Sequence, residues 1–332
     1  MPDYLATLAI TTHNRRDELP AAIDSALAQT LGDRLQIVVI DDGSTDGTTE
    51  MLERDYAHRS NVRLDRMNPG IGLIAERNRF PELCDAPVIV SMDDDAVFDS
   101  PRTVEQTLVD FEQAEAHVAA VAIPYIDVNI RPGVVQQASP EPGVVYAAEQ
   151  YRGTAHAIRK DAFVAAGRYR GQLWRQGEEQ DLSIRLYERG SAVVLGTADP
   201  IHHLESPKRS KPAIYRYTAR NNIWFAWHNV PAAALPVHLL GATANLALDG
   251  LRRPARLAPR LHGLWQGYAG VLGDERRNRR PVSMPTYRLV RALRKGGPRP
   301  LAKVAPFLRE RAEFCQTPDT LRTNRHEPAP TE

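Results

Sequence analysis

Three short apolar runs decide what this chain can become: LATLAIT (Leu5–Thr11), LQIVVI (Leu35–Ile40) and PVIVSM (Pro87–Met92). Each stops abruptly at polar residues. Continuous apolar runs of this length, bounded by turn formers, read as strands buried on both faces. A strand of that kind needs cover above and below. The intervening segments supply it. ELPAAIDSALAQT places Leu19, Ile23, Ala26 and Leu27 on one helical face, and TTEMLERDYA and LIAERNRFPELC read as further helices. A weaker strand is expected near Val62–Leu64. Strand and helix in alternation predict an α/β fold: a mostly parallel sheet with helices on both faces.

In such sheets ligands bind beyond the carboxyl ends of the strands. The unusual polar loops all fall there: Thr11–Asn14, Asp41–Thr48 and Asp93–Asp95. Three loops are therefore expected to converge on one rim. Asp41 and Asp42 suit either turn formation and capping of the next helix, or hydrogen bonds to a base or ribose. DDGSTDGT lacks the GxxxxGK[ST] pattern and NPGIG is not GxGxxG, which disfavours a P-loop or dinucleotide enzyme. Asp93, Asp94 and Asp95 repel one another unless a cation sits among them. Carboxylates at a strand end are hard oxygen ligands for Mg²⁺ or Mn²⁺, which bridge to a diphosphate.

A second acidic cluster opens a helix in RQGEEQDLSIRLYERG. Leu182, Ile184, Leu186 and Tyr187 are its apolar positions, and Glu178, Glu179 and Asp181 lie in its first turn. Acids favour the positive end of the helix dipole, but three within four residues also suit a general base. His202 and His203 follow the strand-like AVVLG. Adjacent residues of a strand point to opposite faces, so at most one of the two is expected to face the acidic rim as a metal ligand.

The series resembles the family 2 glycosyltransferases of the GT-A fold. The resemblance runs over residues 4 to 210. It rests on AITTHNR, VVIDDGSTDGT, NPGIGLIAERN with its Arg77–Asn78 pair, SMDDDAVF as a DxD region, and GEEQDLSIRLYERG followed by HHLESPKR. It implies inverting transfer of a hexose-type sugar from a nucleoside diphosphate sugar to an acceptor hydroxyl. Thr11, Thr12, Asn14, Asp41, Asp42, Arg77, Asp93 and Asp94 are then the expected nucleotide contacts. Asp95 and Asp93, with His203 or His202, are the expected ligands of Mn²⁺ or Mg²⁺. The family often has Glu-Asp where this chain has Glu178–Glu179. That leaves the base among Glu179, Glu178 and Asp181, with Glu179 at the position of the usual aspartate. A nucleotidyltransferase on a related sheet would need a basic, Gly-rich triphosphate loop, and none is visible; a non-catalytic sugar-nucleotide-binding protein is the other alternative.

The remaining third is of a different character. AIYRYTARNNIWFAWHNVP reads as a helix with an aromatic stripe of Tyr215, Tyr217, Trp224, Phe225 and Trp227, suited to packing or to an acceptor-binding wall. The charge-free run Val230–Leu248 approaches bilayer length, but Pro231, Pro236, His238 and Asn245 point instead to a helical hairpin packed on the catalytic part or lying on a membrane. Arg252–Arg311 holds 16 Lys and Arg against 3 Asp and Glu, interleaved with Leu, Val, Trp and Tyr. Basic amphipathic helices suit an anionic lipid surface, an acidic partner or plain solvent exposure. No nucleic-acid-binding motif accompanies the charge. The expected organisation is a catalytic domain over 1–210, a basic helical extension over 211–311 and a disordered tail over 312–332. The first residues lack a signal-peptide pattern, and two distant cysteines, Cys84 and Cys315, fit a reducing compartment. A cytoplasmic protein is expected, peripheral on the inner membrane face, with a lipid-linked or cell-envelope glycan acceptor in polysaccharide biosynthesis.

Overall fold

The apolar runs pair side by side because each is hydrophobic throughout. The computed structural model describes residues 3–113, 117–205 and 210–316. β1 (Ala6–Thr12) is buried along its whole length, lying between β2 (Leu35–Asp41) and β4 (Val88–Met92), with β3 (Val62–Arg66) outside β2. All four are parallel, in a register that sets Thr12 opposite Asp41. The crossovers are α1 (Leu19–Leu27), α2 (Thr48–Asp55) and the pair α3 (Leu73–Arg77) and α4 (Phe80–Leu83). The last two were expected as one helix. Pro81 in the first turn of α4 starts a new helix there.

After β4 the chain makes β5 (Ala96–Phe98), α5 (Thr103–Gln113), β6 (Val118–Ala122), β7 (Tyr125–Asp127), β8 (Val135–Gln136), β9 (Tyr146–Ala147) and β10 (Ala155–Arg159). α6 (Lys160–Ala165), α7 (Glu178–Glu188), β11 (Ala192–Leu195) and β12 (Ile201–His203) follow. Among the described residues the main sheet has the order β13-β9-β11-β6-β10-β4-β1-β2-β3, where β13 is Arg299–Pro300. β10 runs against both β4 and β6, so the parallel order holds across β1–β4 and is broken at β10. A second sheet, β5-β12-β7-β8, stands at the carboxyl end of β4 and brings His203 opposite Ala96 and Asp127.

The C-terminal helices are α8 (Lys211–Asn229), α9 (Leu235–Arg252), α10 (Leu257–Leu272), α11 (Met284–Gly296) and α12 (Leu301–Gln316). α10 packs closely on α8: a Cβ at Gly263 would lie 2.1 Å from the carbonyl oxygen of Arg216, and one at Gly267 2.8 Å from Ile223 Cβ. The aromatic stripe serves this packing. Trp224 donates to the Gly267 carbonyl (3.1 Å), and Trp227 to that of Glu275 (3.0 Å). Val290, Leu293, Val304 and Leu308 of α11 and α12 join the same core as β1 and β2. α12 continues to Gln316, past the start of the expected tail, and residues 317–332 lie outside the described residues. Ser206–Arg209 of the HHLESPKR segment also lie outside them. Among the described residues no helix is long and apolar enough to cross a membrane.

Candidate active site

The carboxyl ends of β1, β2 and β4 open onto a cavity of about 570 Å³. Thr11, Thr12, Asp42, Arg77, Asp93, Asp94, Glu178, Glu179 and His203 line it. The loops expected at the rim are thus brought together, though not every acid in them faces the cavity. Asp41 is buried and accepts hydrogen bonds from the Ser44 N–H (3.0 Å) and from the Thr49 hydroxyl; it shapes the loop. Asn14 lies outside the lining: its N–H donates to Ser44 (2.8 Å) and its side chain accepts from the Thr45 N–H (2.8 Å). Both carry hydrogen bonds within the rim loops, and the reason is the same. Short polar side chains at a strand end satisfy the orphan N–H groups of the turn. Asp42 accepts from the backbone N–H groups of Ile71 and Gly72, which ties the NPGIG loop to the cavity edge.

Arg77 is 3% exposed, so it is no solvated helix charge. Its guanidinium donates to Asp93 (2.7 Å) and lies 3.6 Å from Glu178. The hydroxyl of Thr12 donates to Asp94 (2.8 Å). Burial, reinforced by Asp95 and Asp93, pushes Asp94 up to about 7, against the opposing pull of Thr12 and Arg15.

Ligand atoms of Asp93, Asp95 and His203 lie within 4.8 Å of one another. His203 Nε2 is 3.4 Å from Asp95 Oδ1, and its Nδ1 is 2.6 Å from Asp127 Oδ1. Two carboxylates and one imidazole suit a hard or borderline dication such as Mn²⁺ or Mg²⁺. A carboxylate on the second ring nitrogen is the usual orienting partner of a ligating histidine. Burial opposes a charge on His203, but the hydrogen bonds to Asp95 and Asp127 outweigh it and raise the ring to about 9. His202 is a correction. It projects from the opposite face of β12, 3.7 Å from Asp99, as the period of a strand requires.

The acids of α7 separate by helical phase. Glu179 is half-buried on the cavity, and Glu178 is buried beside Arg77. Burial raises both carboxyls, most of all Glu178, which also feels the charge of Glu179. The helix dipole was expected to favour ionisation here, and burial outweighs it. Asp181 is fully buried and outside the cavity. It accepts from Arg170 (3.1 Å), Arg185 (2.8 Å) and Asn229 (2.7 Å). These partners hold it below the usual carboxylate range despite burial. Asp181 anchors α7 to α8 and is removed from the candidate bases.

Sequence reasoning missed several lining residues. Arg152 is an exposed cation on the cavity. Gly153 beside it admits the site: a Cβ there would lie 2.7 Å from Glu179 Oε1 and 2.9 Å from Arg77 Nη1. Asp127 reaches His203 only through the register of β7 with β12. Glu76 is 1% exposed on the cavity wall, and neither of its oxygens has a hydrogen-bond partner. Only the pair "RG" in YRGT, an arginine beside a residue without a side chain, gave any local hint.

A parallel nucleotide-type half-sheet with acids and a histidine at its rim defines the GT-A class of glycosyltransferases, and solved structures agree on the fold. A mannosyltransferase from Pyrobaculum calidifontis, solved with GDP-Man and Mn²⁺, superposes with a TM-score of 0.55 at 18% identity, covering 98% of this chain and 89% of that one. S. aureus TarS 1-349 in complex with UDP-GlcNAc gives 0.57 at 15% identity, covering 94% and 91%. The family model Glycosyl transferase family 2 matches residues 7–172, half of the chain. The chain belongs to glycosyl transferase family 2. A chondroitin synthase of Escherichia coli is 34% identical over 110 residues, 33% of this chain and 16% of that protein. A Pasteurella multocida hyaluronan synthase is 30% identical over 107 residues, 32% of this chain and 11% of that protein. The chain therefore matches well under two thirds of these relatives' own length.

Proposed function

We propose that this glycosyltransferase is a metal-dependent, inverting hexosyltransferase that uses a nucleoside diphosphate sugar. The observation that carries the reading is the cluster of Asp93, Asp95 and His203 beside a cavity that Glu179 also lines. Asp42, with Thr11 or Thr12, holds the base and ribose. Asp93, Asp95 and His203 hold Mn²⁺ or Mg²⁺, which when bound supplies Lewis-acid stabilisation of a departing diphosphate. Arg77 fixes Asp93 from behind, and Arg152, exposed on the cavity, meets phosphate charge. Glu179 takes the proton of the acceptor hydroxyl as its oxygen forms the bond to the anomeric carbon. The bond from that carbon to the diphosphate oxygen breaks on the opposite face, which inverts the centre. Burial raises the Glu179 carboxyl, which makes it a stronger proton acceptor once ionised. Glu178 stays paired with Arg77 and positions the turn.

Calorimetry tests the donor half. Nucleoside diphosphate binding should tighten at least tenfold with Mn²⁺, and Asp95→Asn should abolish that gain while leaving metal-free binding in place. Equal binding with and without Mn²⁺ in the parent protein overturns the metal assignment.

The acceptor is proposed to be a lipid-linked or envelope glycan, met at a membrane on its cytoplasmic side. What supports this is the surface of α9 and α10, where Leu240, Leu251, Trp265 and Leu272 are all well exposed beside the basic excess of the C-terminal region.

A further inference from the structure

A second cavity, of about 520 Å³, lies between α7, α8, α9, α10 and α11. α7 contributes to both cavities: Glu178 and Glu179 to the first, Gln180 and Ile184 to the second. The interior is apolar, formed by Ile184, Phe225, Leu246 and Val290. The margin is cationic. Arg291 donates to the Tyr287 hydroxyl (2.9 Å), and neither it nor Lys295 has a carboxylate partner among the described residues. Arg294 has one, Glu149 at 3.3 Å. At the other end a single carboxylate, Asp249, is shared by Arg253, Arg256 and Arg260. The acids of the lining are thus outnumbered. His238, between the two ends, accordingly stays neutral: burial, with Arg294 and Arg291, lowers it to about 4.

An apolar wall beside Arg291 and Lys295, two cations with no carboxylate partner among the described residues, is complementary to a molecule with an apolar chain and an anionic head. Arginine favours phosphate because its fork matches two oxygens at once. Val237, exposed on α9, also lines the cavity and extends its apolar wall to the surface. We propose that this cavity is a second ligand site, distinct from the transfer site, that takes a lipid with a phosphate head. The proposal goes beyond the sugar transfer and does not depend on it.

The test uses the full chain and monomeric dodecyl phosphate, below its micelle concentration, followed by calorimetry. Two controls separate head from tail: inorganic phosphate and dodecyl maltoside. Dodecyl phosphate should bind at least tenfold more tightly than either. The double variant Arg291→Glu and Lys295→Glu, both surface positions, should lose that advantage. Gly241→Phe provides a steric arm. Gly241 lines the cavity, and a Cβ there meets no atom within 4 Å, so the ring enters the cavity without disturbing α9. It should also weaken binding tenfold or more. Nucleoside diphosphate binding at the first cavity should be unchanged in both variants, which reports that they are folded. Equal binding of phosphate alone or of the neutral amphiphile, or dodecyl phosphate affinity untouched by both variants, overturns the proposal.

Discussion

Glu179, Glu178 and Asp181 lie within one turn of one helix and do three different things. Glu179 is the more exposed of the two that line the cavity; Glu178 backs Arg77, and Asp181 closes a buried ion cluster. Glu179→Gln keeps shape and hydrogen bonding but removes basicity, so sugar transfer should fall by roughly 10²–10⁴ while nucleotide affinity stays within twofold. Gly153→Ala should reproduce much of that loss by displacing the Glu179 carboxylate, with little change in melting temperature, because only side-chain ends have to move. Transfer at the parent rate in Glu179→Gln would return the role to Glu178. Glu76 offers a reading of stability. Burial, then the Asp42 charge, pushes its carboxyl up to about 9. A folded-state value above the unfolded one means that its contribution is complete below the ordinary carboxyl range. That contribution is lost progressively as pH rises toward about 9. Glu76→Gln should flatten this fall in denaturant midpoint between pH 5 and 9. An identical pH profile for parent and variant would show that Glu76 ionises freely.

At the scale of elements, α8 is the joint of the molecule. Its Asn229 meets Asp181 of α7, its Trp224 and Trp227 bond to the α10 side, and its Phe225 faces the second cavity. The close approach of α10 depends on Gly263 and Gly267, where side chains would strike the α8 backbone carbonyl or Ile223. Gly267→Leu should therefore force the two helices apart and cost about 1–3 kcal/mol, the usual penalty of overpacking. Chemical denaturation measures it directly, and a variant as stable as the parent would mean that the helices slide without cost. The aromatic residues of α8 were legible as a stripe. Their partners were not, because α10 presents glycines, which carry no periodic signal of their own.

For the molecule as a whole, the charge asymmetry and the exposed apolar side chains of α9 and α10 make one expectation. The protein should float with phosphatidylglycerol vesicles at low salt and be released at high salt, since each basic residue near an anionic surface contributes about 1 kcal/mol and the attraction is screened. Recovery in the bottom fraction at low salt would leave these helices as ordinary surface. The same scale explains why the second cavity was not foreseen. Its walls come from residues between Glu149 and Lys295, on five helices and a loop, and no local pattern links them.

The sequence by itself determined the half-sheet and its chemistry. Apolar runs with no polar face must be buried on both sides, and polar loops that end parallel strands must share one rim. That logic placed Asp42, Asp93 and Asp95 at one rim, the family resemblance added the α7 acids, and the strand period allowed only one histidine of the pair. The tertiary structure decided which atoms of those residues remain available. Asp41 and Asn14 are taken by turn N–H groups, Asp181 by two arginines and an asparagine, and Arg77 is buried where a surface charge was conceivable. Neighbours more than ten residues away in sequence, such as Asp127 hydrogen-bonded to His203 or Gly153 packed beside Glu179, follow from strand register and loop approach. Those depend on how the whole chain packs, and a one-residue slip would reverse them.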